Sequence, residues 1–217
     1  MTVRILNKIH GLLPIKSKLI LRTILFVKKL EVESPPRPLQ GVSFRLAGAE
    51  ELEAINDHPE ALSKTVYSSR IRNGDRCYCL IQDGEVVCYN WVRFSTCCAF
   101  CGRRVSFNFM PLSPGQVFVY DLYTYEKYRG KGLGGYMKDC LVYELQSRGL
   151  KEILSIVEPA NTASVRIHVR IGSKMHALIY GFGLFNWTKT FAAPKRDEES
   201  MRQWIEEVRA QWVPGRG

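Results

Sequence analysis

The stretch Tyr120-Asp-Leu-Tyr-Thr-Tyr-Glu-Lys-Tyr-Arg-Gly-Lys-Gly-Leu-Gly-Gly135 decides how this chain is read. An apolar, aromatic strand runs into a basic, glycine-rich turn, and a helical pattern follows at once. Gly130, Gly132, Gly134 and Gly135 allow backbone dihedrals and close approaches barred to other residues. The helix that opens there points unpaired N–H groups and its positive dipole end into the loop. Each amide bond to a charged oxygen contributes roughly 1.5–3 kcal/mol, and Arg129 and Lys131 add charge. The segment expects an anionic ligand, most simply a pyrophosphate.

Two other readings of the loop stand beside this one. Gly130, Gly132 and Gly135 also satisfy G-x-G-x-x-G, with Glu158 near the place of a ribose-binding acid. A dinucleotide domain, however, opens a series of strand–helix units, and only about 60 residues follow Glu158. A purely structural glycine turn is the other reading, since glycine punctuates chains everywhere.

Wording and spacing carry a further resemblance. Arg129-Gly-Lys-Gly-Leu-Gly134 resembles the R/Q-x-x-G-x-G/A signature of the GCN5-related N-acetyltransferases (GNAT superfamily). Asn161-Thr-Ala-Ser-Val-Arg-Ile-His-Val-Arg-Ile-Gly172 is similar to that family's N-x-x-A/S-x-x-x-Y-x-x-x-G-F segment. The resemblance spans about residues 42 to 190 and is strongest from 116 to 173. It implies an α/β fold of the α+β type, with a central mixed, mostly antiparallel sheet flanked by helices. It also implies acetyl-CoA as co-substrate. Leu122, Tyr123 and Thr124 would offer backbone groups to the pantetheine arm and the thioester oxygen. Arg129, Gly130, Lys131, Gly132, Leu133, Gly134 and Gly135 would hold the pyrophosphate, and Asn161 with Ser164 would meet the cofactor arm.

The chain departs from the family pattern at two places. His168 stands where the family often has a tyrosine that protonates the CoA thiolate. Histidine exchanges protons near neutral pH, so it either takes over that task or packs structurally on its amphipathic helix. Ser173 replaces the phenylalanine after Gly172. For the general base the candidates are Asp121, within the cofactor strand, and then Glu158 at the end of the next strand. Glu126 sits in the loop, towards solvent.

The 217 residues are 46% hydrophobic and carry a formal net charge of +10. That is enough for one good core with appendages. Residues 1–30 hold Arg4, Lys8, Lys16, Lys18, Arg22, Lys28 and Lys29 and no acid, which is +7. The rest shares +3, an ordinary surface, so no nucleic-acid partner is expected. Seven cysteines and no secretory signal argue for reduced thiols and a cytoplasmic protein. Cys98-Ala-Phe-Cys101 has C-x-x-C spacing, but Cys77-x-Cys79 is a poor second pair for zinc. No metal is expected.

Four segments are expected along the chain. Residues 1–30 read as a basic amphipathic helical extension, broken at Pro14 into helices over 1–13 and 17–30. Ile5, Ile9, Leu12 and Leu13 face away from Arg4 and Lys8 in the first of these. Such helices either lie on a membrane surface, peripheral at its inner face, or pack on the domain. Residues 31–40 form a proline-rich linker. The domain proper occupies 41–192, with Asp83-Gly84 as a hairpin turn. Residues 193–217 hold an amphipathic helix bearing Met201, Trp204, Ile205, Val208 and Trp212.

Taken together, these observations point to an acetyl-CoA-dependent transferase acting on an amine. The acceptor expected is a small molecule, membrane-associated or sugar-derived, such as a lipid-linked sugar. A longer-chain N-acyltransferase of the same fold, a non-catalytic CoA-binding module and a membrane-surface adaptor stay open. Oligomeric state is not legible.

Overall fold

A computed structural model describes residues 20–60, 64–95, 100–101, 106–107, 112–184 and 187–192. The strands are β1 (Ile20–Lys29), β2 (Val42–Leu46), β3 (Arg76–Gln82), β4 (Glu85–Arg93), β5 (Phe100–Cys101), β6 (Ser106–Phe107), β7 (Gln116–Thr124), β8 (Glu152–Val157), β9 (Lys174–Leu184) and β10 (Trp187–Ala192). The helices are α1 (Ala49–Asp57), α2 (Lys64–Arg72), α3 (Leu133–Ser147) and α4 (Thr162–Arg170). Among the described residues eight strands make one sheet in the order β10-β9-β1-β8-β7-β4-β3-β2, and β5 pairs with β6 alone. β7 and β8 run parallel, while the other neighbours in the large sheet are antiparallel.

Alternation sorts side chains to the two faces of this sheet. Tyr78 and Leu80 of β3, with Val117 and Val119 of β7, join Leu133, Met137, Leu141 and Leu145 of α3 in one core layer. Cys77 and Cys79 of β3, with Tyr89 and Trp91 of β4, meet Ile55 of α1 and Tyr67 of α2 on the opposite face. With both faces covered, the central strands are buried along nearly their whole length.

The N-terminal expectation is corrected here. The helix expected over 17–30 is replaced by β1, which lies between β8 and β9 and pairs antiparallel with both. Ile24, Leu25 and Phe26 are buried. A short apolar run has no clear period, and its β-branched Ile24 and Val27 suit a strand covered on both faces. The sheet therefore extends upstream of residue 41, into the expected extension. The expected linker is also fastened: Val32 N–H donates to Gln146 Oε1 (2.7 Å) and Gln146 Nε2 donates to the Val32 carbonyl (3.0 Å). The helices expected over 1–13 and 193–217 lie outside the described residues, as do Cys97 and Cys98.

Candidate active site

Pairing between β7 and β8 covers only Gln116–Phe118 against Glu152–Leu154. Beyond Phe118 and Leu154 the two strands part and leave a wedge with backbone groups along its sides. The other edge of β7 is irregular at the same level. The register against β4 shifts by one residue between Tyr89 and Trp91, so Asp121 and Leu122 together face Asn90. This is a β-bulge, and Asp121 takes φ +50°, a left-handed backbone rare outside glycine. Asn90 Nδ2 donates to the Tyr120 carbonyl at 2.6 Å and satisfies a group that the bulge removes from the ladder.

The wedge opens towards the glycine turn. A single 3-10 turn, Glu126–Tyr128, leads into Gly130 and Gly132, both left-handed (φ +78° and +76°). Gly132 caps α3, and the first bond of that helix runs from Tyr136 N–H to the Gly132 carbonyl. The amides of Leu133, Gly134 and Gly135 are thus left without an intrahelical acceptor, which is the anion-binding arrangement expected from the sequence. Gly134 and Gly135 serve close packing instead of unusual dihedrals. A Cβ on Gly135 would lie 2.8 Å from Arg170 Nη2, and one on Gly134 would lie 3.3 Å from Ile167 Cδ1.

Arg129 is exposed at the rim and held by three acceptors. Nε donates to the Thr124 carbonyl (3.1 Å), and Nη2 donates to the Tyr123 hydroxyl (3.0 Å) and to Glu60 Oε2 (3.4 Å). Tyr123 in turn donates to Glu60 at 2.5 Å, a bond that holds the Glu60 carboxyl below its ordinary range. Lys131 lies over the Tyr128 ring, 5.2 Å from its centre. Asn161 caps α4, its Oδ1 accepting from Ser164 N–H at 3.0 Å.

The three candidate proton carriers end in different surroundings. Asp121 Oδ2 accepts from Arg70 Nη1 at 2.6 Å, and that buried guanidinium lies over the rings of Tyr67, Trp91 and Tyr120. Glu158 is exposed, with its backbone carbonyl accepting from Asn161 N–H. His168 is buried at 3% exposure and stacks on Phe26 of β1. Its Nδ1 lies 2.8 Å from the Ser164 carbonyl, which can only accept, so Nδ1 carries the proton and Nε2 a bare lone pair. Nε2 is buried without a hydrogen-bond partner. Burial first, and the charge of Lys138 second, push this imidazole down to about 3.

Four side chains of this region were not named from the sequence: Glu60, Arg70, Arg170 and Lys138. Glu60, Arg70 and Arg170 offered no local signal, because packing of distant segments brings them in. Lys138 offered one. It falls four residues after Gly134 and three before Leu141, on the inward stripe of α3, and it is 2% exposed. Among the described residues, no cluster of three or more His, Cys, Asp or Glu side chains is arranged to hold a metal ion. Nor is any described helix long and apolar enough to cross a membrane.

No curated protein matches the sequence. The chain is similar in fold to a Drosophila protein of known structure, with 13% identity over 83% of this chain and 57% of that one, TM-score 0.55. It is likewise similar to a GCN5-related N-acetyltransferase from Sphaerobacter thermophilus, with 15% identity over 90% of this chain and 58% of that one, TM-score 0.54. The chain thus spans less than two thirds of the length of either neighbour. The model of the Acetyltransferase (GNAT) family matches residues 44–172, more than half of the chain, which contain the wedge, the glycine turn and both helices beside them; the chain belongs to that family.

Proposed function

We propose that this protein transfers an acetyl group from acetyl-CoA to the amine of a small acceptor by direct attack on the thioester. The observation that carries this reading is the wedge between β7 and β8, which opens towards the amide-lined N-terminus of α3. A pyrophosphate at Leu133, Gly134 and Gly135, flanked by Arg129 and Lys131, leaves the pantetheine arm to run down the wedge. There the backbone of Leu122, Tyr123 and Thr124 supplies the strand partner that β8 no longer provides. Positioning and oxyanion stabilisation of this kind account for much of the rate in acyl transfer.

Asp121 is our choice for the acceptor's proton. Its Oδ2 is committed to Arg70, while Oδ1 makes no hydrogen bond among the described residues. Arg70 then positions the carboxylate at the bulge. Glu158, exposed at the end of β8, is the weaker alternative. The reading of the acceptor as membrane-associated or sugar-derived rests on Arg4, Lys8, Lys16 and Lys18, because β1 uses the neighbouring apolar residues inside the sheet.

The test is thermal unfolding with CoA and with adenosine, followed by a mass-spectrometric screen of amines with acetyl-CoA. CoA should raise the unfolding temperature and adenosine should not, and one acceptor class should gain an acetyl mass. Equal, negligible shifts with both ligands would remove the reading.

A further inference from the structure

The α3 side of the wedge holds a buried polar cluster. Lys138 lies on α3 and His168 on α4, both almost fully buried. Ser155 of β8 is the first residue past the last paired one, Leu154, and is buried as well. The Ser155 hydroxyl and His168 Nε2 are both without a hydrogen-bond partner. Among the described residues Lys138 forms no salt bridge, and no carboxylate acts on its ammonium. Burying a lysine with no carboxylate near it, beside an unpaired hydroxyl and ring nitrogen, costs free energy that an ordinary core avoids.

The contacts place this cluster across the wedge. One turn before Lys138 on the same stripe of α3, a Cβ on Gly134 would lie 3.5 Å from Thr124 Oγ1 and 3.8 Å from Leu122 Cδ2 of β7, and 3.3 Å from Ile167 Cδ1 of α4. The Lys138 charge acts on Cys88 of β4 and on His168 of α4. Cys88 accepts a hydrogen bond from Thr124 Oγ1 of β7 at 3.3 Å, which puts that end on the β7 flank. His168 stacks on Phe26, whose register partner is Ser155, which puts the other end on the β8 flank. Lys138 therefore lies between the β7 flank and the α4 side of the wedge. The titratable groups its charge reaches are Cys88 from β4 and His168 from α4; Asp139, next to it on α3, is taken by Arg170 at 2.9 Å.

We propose that Lys138, and not His168, is the proton source for the departing CoA thiolate. This rests on the reading of the wedge as the acetyl-CoA site. His168 itself has no proton to give from Nε2, because its proton sits on Nδ1 and is donated to Ser164. The acceptor nitrogen attacks the thioester carbonyl carbon, a C–N bond forms and the C–S bond breaks, leaving the electron pair on sulfur. A proton passes from Lys138 Nζ to that sulfur, and the neutral lysine regains one from water after CoA leaves. Burial lowers the lysine to about 7, which makes it a competent donor near neutral pH.

The test uses CoA itself and needs no acceptor. The thiol of protein-bound CoA is titrated by its thiolate absorbance in the intact chain, in Lys138→Gln and in Lys138→Arg. We expect the bound thiol to titrate about one unit or more below free CoA in the intact chain and in Lys138→Arg. Lys138→Gln should return it to the ordinary range of about 8.5. A second measurement covers a variant that fails to fold: the intact chain should bind CoA roughly tenfold more tightly than desulfo-CoA. CoA that binds with an unshifted thiol and no preference over desulfo-CoA overturns the role of Lys138 alone. Failure to bind CoA at all overturns the wedge as its site, and this inference with it.

Discussion

The two faces of the sheet treat buried charge in opposite ways. On the α1–α2 face every prominent buried ion is matched. Arg93 donates to Asp75 through Nε (2.7 Å) and Nη2 (2.6 Å), and Tyr120 adds a hydroxyl at 2.5 Å. Arg70 is paired with Asp121 and boxed by three rings. On the α3–α4 face Lys138 is buried with no carboxylate acting on it, and His168 Nε2 and the Ser155 hydroxyl make no hydrogen bond. A satisfied network rigidifies the sheet and fixes where Asp121 stands at the bulge. Unpaired neutral groups occur on both faces, Trp91 Nε1 and the Tyr125 hydroxyl on the first and His168 Nε2 and the Ser155 hydroxyl on the second, so the buried ion is what separates them.

The sharpest way to break this comparison is Arg93→Met. It strands the Asp75 carboxylate inside the matched face, and urea denaturation should show a loss of about 3–5 kcal/mol. A loss under 1 kcal/mol would mean that the matched face is not a unit.

Lys138→Met should act in the other direction. The folded lysine sits near 7 and its unfolded counterpart at 10.5, so between these pH values the unfolded chain binds more protons. The contribution of Lys138 to stability should then rise with pH from about 7 to 10.5, by up to about 1.4 kcal/mol per unit, against the loss that the buried thiols of Cys77, Cys79 and Cys88 bring in the upper part of that range. Lys138→Met should remove that contribution, so that the difference in stability between the two proteins narrows as pH rises from 7 to 10.5, and should be the more stable protein at pH 7, as pH-dependent denaturation curves would reveal.

His168→Phe sharpens the same point on the acid side. The imidazole is held at about 3 against 6.5 when unfolded. Stability contributed by neutral His168 is complete above pH 6.5 and drains away as pH falls towards 3, again by up to about 1.4 kcal/mol per unit. The phenylalanine variant should have a shallower acid limb in a melting series from pH 7 to 4. An unchanged limb would place the acid sensitivity elsewhere.

The smallest expected effect tests the rim. Gly132→Ala forces a side chain into φ +76° at the cap of α3 and should cost roughly 1–2 kcal/mol. CoA affinity should fall with it, because the amides of α3 lose their geometry. A fall in CoA affinity from Gly132→Ala without any loss of stability would separate ligand binding from helix capping.

Much of the site was legible before folding. The loop from Arg129 to Gly135 and the segment from Asn161 to Gly172 were found by residue type and spacing, each following a strand, Gln116–Thr124 and Glu152–Val157. β1 was read as a helix, because ten residues of mixed apolar and basic character satisfy a helical stripe as readily as a covered strand. Asp121 was named, but its partner Arg70 is 51 residues away and carries no signature of that pairing. Lys138 was visible as a charge on an apolar stripe of α3 and passed over.

The sequence by itself determined what depends on neighbours in the chain: the glycine turn, the helix start behind it, the hairpin at Asp83-Gly84 and the family to which they belong. These are local because backbone dihedrals and capping are settled within a few residues. Tertiary structure alone decided which strand fills the gap between β8 and β9, where β7 and β8 part, and which buried charges find partners. Those depend on contacts between residues far apart in sequence, and whether a lysine is stranded or matched is settled only by what the fold lays against it.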